Sequence, residues 1–174
     1  MTPLVQPAGR NRALSRIRRA VPTPRTALFG ALLWAATMGA SALVNLLLDD
    51  WETPEKIRTV SLLYACGGAL AFPLGLFAAR LVSLGRRWEV AFAAAFVCLL
   101  GATIGLTGGL FALQYRSYYA EWHAPAFTHT WALQFVFTML IALYQFVVLG
   151  IRLYFPVGFV ALFAVSVWFA RQQR

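Results

Sequence analysis

The chain has 174 residues, 60% hydrophobic and 12% charged, with a net charge of +9. That balance is too apolar for a water-soluble domain. The charges stand at the ends of long uncharged runs, so the sequence predicts an all-α integral membrane protein, a small polytopic helical bundle of about five transmembrane segments. The basic excess does not point to nucleic acid, because the basic arm has no interleaved aromatic residues for base stacking.

Residues 1–26 read as a basic arm and residues 27–174 as the bundle. Residues 1–27 hold six arginines and no acid. Leu14, Ile17 and Val21 share one helical face while Arg16, Arg18 and Arg19 take the other, and Pro22 and Pro24 end the piece. It reads either as a short amphipathic helix on anionic lipid headgroups or as a disordered positive-inside arm. The first span is expected from about Ala27 to Leu48, with Ala31, Ala35 and Gly39 as a small-residue row and Asn45 near the far end. Ala40-Ser41-Ala42 resembles a signal-peptidase site, but the apolar run continues through Leu48, which favours a retained span. The acid-free, Arg-rich start also matches a mitochondrial presequence in composition, although a bacterial inner membrane needs no further assumption.

An acidic turn follows, Asp49 to Lys56, with Trp51 at the interface. The second span is expected from about Thr59 to Ala79, kinked at Pro73. A basic loop from Arg80 to Trp88 leads to a third span, about Val90 to Leu113, inside a run with no charge between Glu89 and Arg116. Gly101, Gly105 and Gly109 line one face of this span, and Gly67, Ala71, Gly75 and Ala79 line one face of the second. Small-residue rows at spacing four let helices approach closely. The two rows are expected to pack against each other, with Leu99 facing lipid. The connector to the fourth span carries Tyr115, Tyr118, Tyr119, Trp122 and Phe127, a density that belongs at headgroup level.

The positive-inside rule places the arm and the 80–87 loop in the cytoplasm, and the acidic turn and aromatic loop on the other side. Trp131 to Gly150 makes a fourth span, and Leu153 to Ala170 a second uncharged run with Pro156 near its start. A continuous helix over both would be roughly 60 Å long, twice the hydrocarbon thickness. The chain is therefore expected to turn near Arg152–Pro156, with the fifth segment spanning on its own.

Reactive groups are sparse. Cys66 and Cys98 lie at different depths and read as small buried residues. Glu121, His123 and His129 approach a metal-ligand set, but their spacing matches no zinc pattern and Pro125 breaks any helix that would align them. We expect no metal, no cofactor and no catalytic residue, and no enzyme is indicated. On the fourth span Thr130, Gln134, Thr138 and Gln145 share a stripe that Arg152 continues toward the cytoplasmic end. Such polar groups either bond another helix or line a polar path.

The sequence thus favours a non-enzymatic membrane protein acting as a packing or assembly subunit, in contact with the lipid bilayer and with a protein partner or its own copies. The alternative is a small transporter with a polar path along the fourth span.

Overall fold

The computed structural model describes residues 8–50 and 53–172. Residues 1–7 of the arm, Trp51 and Glu52 of the acidic turn, and Gln173 and Arg174 lie outside them. Every regular element among the described residues is helical: α1 (Ala8–Ala20), α2 (Pro24–Asp49), α3 (Pro54–Ser83), α4 (Trp88–Tyr119), α5 (His129–Gln145) and α6 (Val157–Arg171).

The boundaries follow local chemistry. α2 and α3 each start with a threonine cap followed by proline at the first helical position, where the missing N–H costs nothing and the fixed φ suits the helix. α3 continues through Pro73. The α3–α4 turn uses Gly85 at φ 70°, a conformation that glycine adopts without steric cost. The Thr128 hydroxyl caps α5 by accepting from the Trp131 N–H at 3.2 Å.

Four helical stretches are long and apolar enough to cross a membrane: Pro24–Asp49, Pro54–Ser83, Trp88–Trp122 and His129–Tyr154. The expected fifth is not among them. α6 has 15 residues, about 22 Å at helical rise, against about 30 Å of hydrocarbon. Its course explains why. Arg116 stacks over Phe135, Gly108 meets Phe146, Phe96 meets Phe159 and Phe92 meets Phe163. As the α4 numbers fall, their partners' numbers rise, from α5 straight into α6. The two helices therefore lie end to end along α4 and antiparallel to it, with a break between them. Pro156 interrupts the helix, as the sequence indicated, but the chain steps sideways there instead of reversing.

α3 is the most enclosed helix. Its row Gly67, Ala71, Gly75 and Ala79 is buried throughout. A Cβ on Gly67 would overlap Thr107, and one on Gly75 would lie 2.9 Å from Leu99 Cδ2 and 3.2 Å from the Cys98 carbonyl. The facing row on α4 is Ala91, Ala95, Leu99, Thr103 and Thr107, all buried. The expected pairing with Gly101, Gly105 and Gly109 is corrected here: a Cβ on any of the three would meet nothing within 4 Å. Gly105 follows Thr103 by two residues, about 200° round the helix, so the glycine row points away from α3. Leu99, expected to face lipid, is fully buried.

α2 closes on the other side of α3, where a Cβ on Gly39 would lie 3.0 Å from Ala65 Cβ and one on Gly68 would lie 3.2 Å from Met38 Cβ. One apolar cluster joins Trp34, Met38, Phe72, Leu76, Leu99 and Leu162. A second joins Ala42, Leu63, Tyr64, Phe146 and Leu153. α5 contributes little to either, and Ala142 is its one buried residue. The cysteines are both free thiols, and the expectation that both are buried fails: Cys66 is exposed and Cys98 half-buried.

Candidate functional site at the helix break

Between α5 and α6 the backbone passes through a π turn (Phe146–Gly150) and a 3-10 turn (Ile151–Tyr154), then becomes extended at Phe155. A break of this kind frees carbonyls that a regular helix would satisfy. In an apolar surrounding each one left bare is costly. Side chains from two other helices supply the missing donors. Ser41 Oγ donates to the Leu153 carbonyl at 2.8 Å. The Asn45 amide donates to the carbonyls of Phe155 at 3.0 Å and Leu153 at 3.3 Å, and to Ser41 of its own helix at 2.8 Å. Tyr64 Oη donates to the Gly150 carbonyl at 2.6 Å.

Aromatic packing holds these donors in place. The Tyr64 ring lies 4.9 Å from that of Tyr154 and 6.2 Å from that of Phe146. The hydroxyls of Tyr154 and Thr107 are neighbours, and neither makes a hydrogen bond of good geometry. Close by, the Trp34 indole N–H donates to Thr103 Oγ1 at 3.0 Å. A cavity of about 150 Å³ adjoins the break, lined among others by Trp34, Met38, Ile104, Tyr154 and Gly158. Its lining is almost wholly apolar, and no nucleophile–base pair or carboxylate points into it.

The stripe expected on the fourth span does not form one continuous path. Gln134 Oε1 accepts from the Ala124 N–H at 2.8 Å. Thr138 Oγ1 donates to its own helix at the Gln134 carbonyl and lies 3.3 Å from His123 Nε2. Both residues therefore tie α5 to the loop before it. Thr130 is exposed. Gln145 is half-buried and sits at the depth of Gly109, one residue before the Phe146–Gly108 contact. Arg152 is corrected in position. It pairs with Asp49 at 2.8 Å, at the end of α2 remote from the basic arm, so it does not extend the stripe toward the arm's end.

Glu121 and His129 are exposed, and His123 is half-buried beneath Thr138. No three His, Cys, Asp or Glu side chains among the described residues are placed to hold a metal ion together. The aromatic residues of this loop stack on one another, with Tyr115 and Tyr119 rings 4.8 Å apart and Tyr118 and Trp122 rings 5.7 Å apart.

Sequence reasoning singled out Asn45 but missed Ser41, Tyr64, Trp34 and Thr103. A lone hydroxyl in an apolar helix usually bonds its own preceding turn, as Thr37 does to the Leu33 carbonyl. Nothing in the spacing marks Ser41 or Tyr64 as reaching another helix.

No protein-family model, curated protein or solved structure matches this chain.

Proposed function

We propose that this chain is a non-enzymatic integral membrane protein that assembles with a second copy of itself through the outer face of α4 and α5. The observation that carries the proposal is the uncovered glycine row. Gly101, Gly105 and Gly109 have nothing within 4 Å of a Cβ position, although three glycines weaken a helix. In a bilayer their use is to admit another helix closely. The row borders α5, which rests on α4 at Gly108 and leaves Phe137, Leu140, Ile141 and Tyr144 exposed. A groove beside a ridge on one face suits a two-fold contact, in which each copy's ridge fills the other's groove. No charged residue lies on these stretches to oppose it.

Gly105→Leu tests the reading. In mild detergent the wild-type protein is expected to have the mass of a dimer or larger assembly. The variant is expected to be monomeric, with the thermal stability of wild type diluted to its monomeric form. A wild-type monomer at all concentrations would overturn the proposal, and so would co-purification in a complex with another protein and no second copy.

The same reading places the chain in a bacterial inner membrane with its basic end in the cytoplasm. Arg16, Arg18, Arg19, Arg25, Arg80, Arg86, Arg87 and Arg171 stand at one end of the bundle against Lys56, Arg58, Arg116 and Arg152 toward the other, an excess that satisfies the positive-inside rule if α5 and α6 make one crossing. Single cysteines at Arg86 and Arg171 are expected to be labelled from the cytoplasmic side and one at Thr53 from the opposite side. Labelling of the Arg171 position together with Thr53 would defeat this topology.

A small transporter is the second reading, favoured by the interrupted helix, since such breaks line substrate sites in carriers. Against it, Gln134 and Thr138 are engaged by the loop and Arg152 by Asp49, and the cavity at the break is apolar.

A further inference from the structure

At the basic end α2 and α6 diverge and leave a lateral groove of about 650 Å³. Arg25 and Thr26 line one end, and Phe29, Leu33, Ala164 and Trp168 form walls beyond them. On the α6 side, Ala161 and Ala164 leave room beside the larger Val165 and Trp168. Thr37, at the far end, donates its hydroxyl hydrogen to the Leu33 carbonyl at 2.8 Å. From Arg25 to Thr37 is twelve residues, about 18 Å of helix. The groove is therefore cationic at one end and apolar along its length.

That gradient excludes a wholly polar ligand, whose groups would lie unsatisfied against Phe29 and Leu33. It also leaves Arg25 without an ion-pair partner among the described residues. The one carboxylate among the described residues at this end is Glu89, which faces Arg87 at 3.8 Å. Arg171 follows Trp168 by one turn on the same face of α6, adding a second positive charge near the groove. Arg16, Arg18 and Arg19 of α1 are exposed at the same end. α1 is anchored there by the buried Ala20 and by Arg80, which donates to the Val21 carbonyl at 3.3 Å.

We propose that this groove binds one anionic phospholipid, its phosphate on Arg25 and one acyl chain lying between α2 and α6. The site is separate from the glycine face of α4 and does not depend on self-assembly.

The test uses the full-length protein, delipidated in detergent and titrated with dioleoyl phosphatidylglycerol, dioleoyl phosphatidylcholine or glycerol phosphate while native mass spectrometry counts bound ligand. Wild type is expected to hold one phosphatidylglycerol more tightly than phosphatidylcholine and to bind no glycerol phosphate. R25Q should weaken phosphatidylglycerol about fivefold, the worth of one basic side chain near an anionic surface, and bring it close to phosphatidylcholine. R86Q, at the same end but outside the groove, should change it by less than about twofold. A164W fills the groove and should abolish binding of both lipids. Equal losses in R25Q and R86Q would mean a diffuse attraction and overturn the proposal, as would wild-type lipid binding by A164W or capture of glycerol phosphate alone. Should A164W fail to fold, the comparison of R25Q with R86Q decides.

Discussion

Gly75→Leu is expected to lower the unfolding free energy of the purified protein by about 1–3 kcal/mol, while Gly105→Leu, compared with wild type at a dilution where both are monomeric, changes it by less than about 0.5 kcal/mol. At Gly75 even a methyl group would meet Leu99 Cδ2 at 2.9 Å, Leu99 Cα at 3.0 Å and the Cys98 carbonyl at 3.2 Å. Two of those atoms are backbone, so no side-chain rotation relieves the contact and the helices must separate. At Gly105 the space is open. Denaturant or thermal unfolding in detergent compares the two variants directly. A wild-type midpoint for Gly75→Leu would mean that α3 and α4 do not meet along the row described.

The second large effect is expected at the helix break. Asn45→Leu removes the sole side-chain donor to the Phe155 carbonyl among the described residues, and Tyr64→Phe removes the donor to Gly150. Each leaves a carbonyl bare in an apolar setting, at a cost of about 1–2 kcal/mol, smaller if the turn relaxes toward another donor. The double variant should lose about the sum, since the two donors serve different carbonyls. Thr37→Val is the control, because its hydroxyl bonds only its own helix. Amide hydrogen exchange across residues 146–156 should accelerate in the double variant and stay unchanged in the control. If stability and exchange both match wild type, these side chains do not hold the break.

Much of the fold was legible in the sequence, and the reason is physical. Uncharged runs of span length can satisfy their backbone only as helices, so α2, α3, α4 and the start of α5 follow from charge placement alone. The small-residue row of α3 was legible too, because Gly67 and Gly75 have no side chain to hold a neighbour away. Its partner was not. On α4 the glycines are the smallest residues, but the row that meets α3 is Ala91, Ala95, Leu99, Thr103 and Thr107. Alanine and threonine at spacing four permit close approach nearly as well, and nothing in one helix says which of two small faces turns inward.

The fifth segment failed for a related reason. Pro156 ends a helix in either case, whether the chain then reverses or continues with an offset. The deciding contacts, Phe96 with Phe159 and Phe92 with Phe163, are long-range and leave no local signature. The candidate site was the least legible part. Asn45 drew notice as an amide in an apolar run, but the carbonyls it serves lie more than a hundred residues away in sequence.

That separation bears on how the protein is made. α6 is too short to cross a bilayer alone, and the carbonyls before it are satisfied by Ser41, Asn45 and Tyr64 from helices synthesised much earlier. The path of the chain between α5 and α6 is therefore set by tertiary contacts, and it is expected to form only after α2 and α3 have packed and turned these hydroxyl and amide groups toward it. A change at Asn45, in α2, would then show itself in the placement of α6.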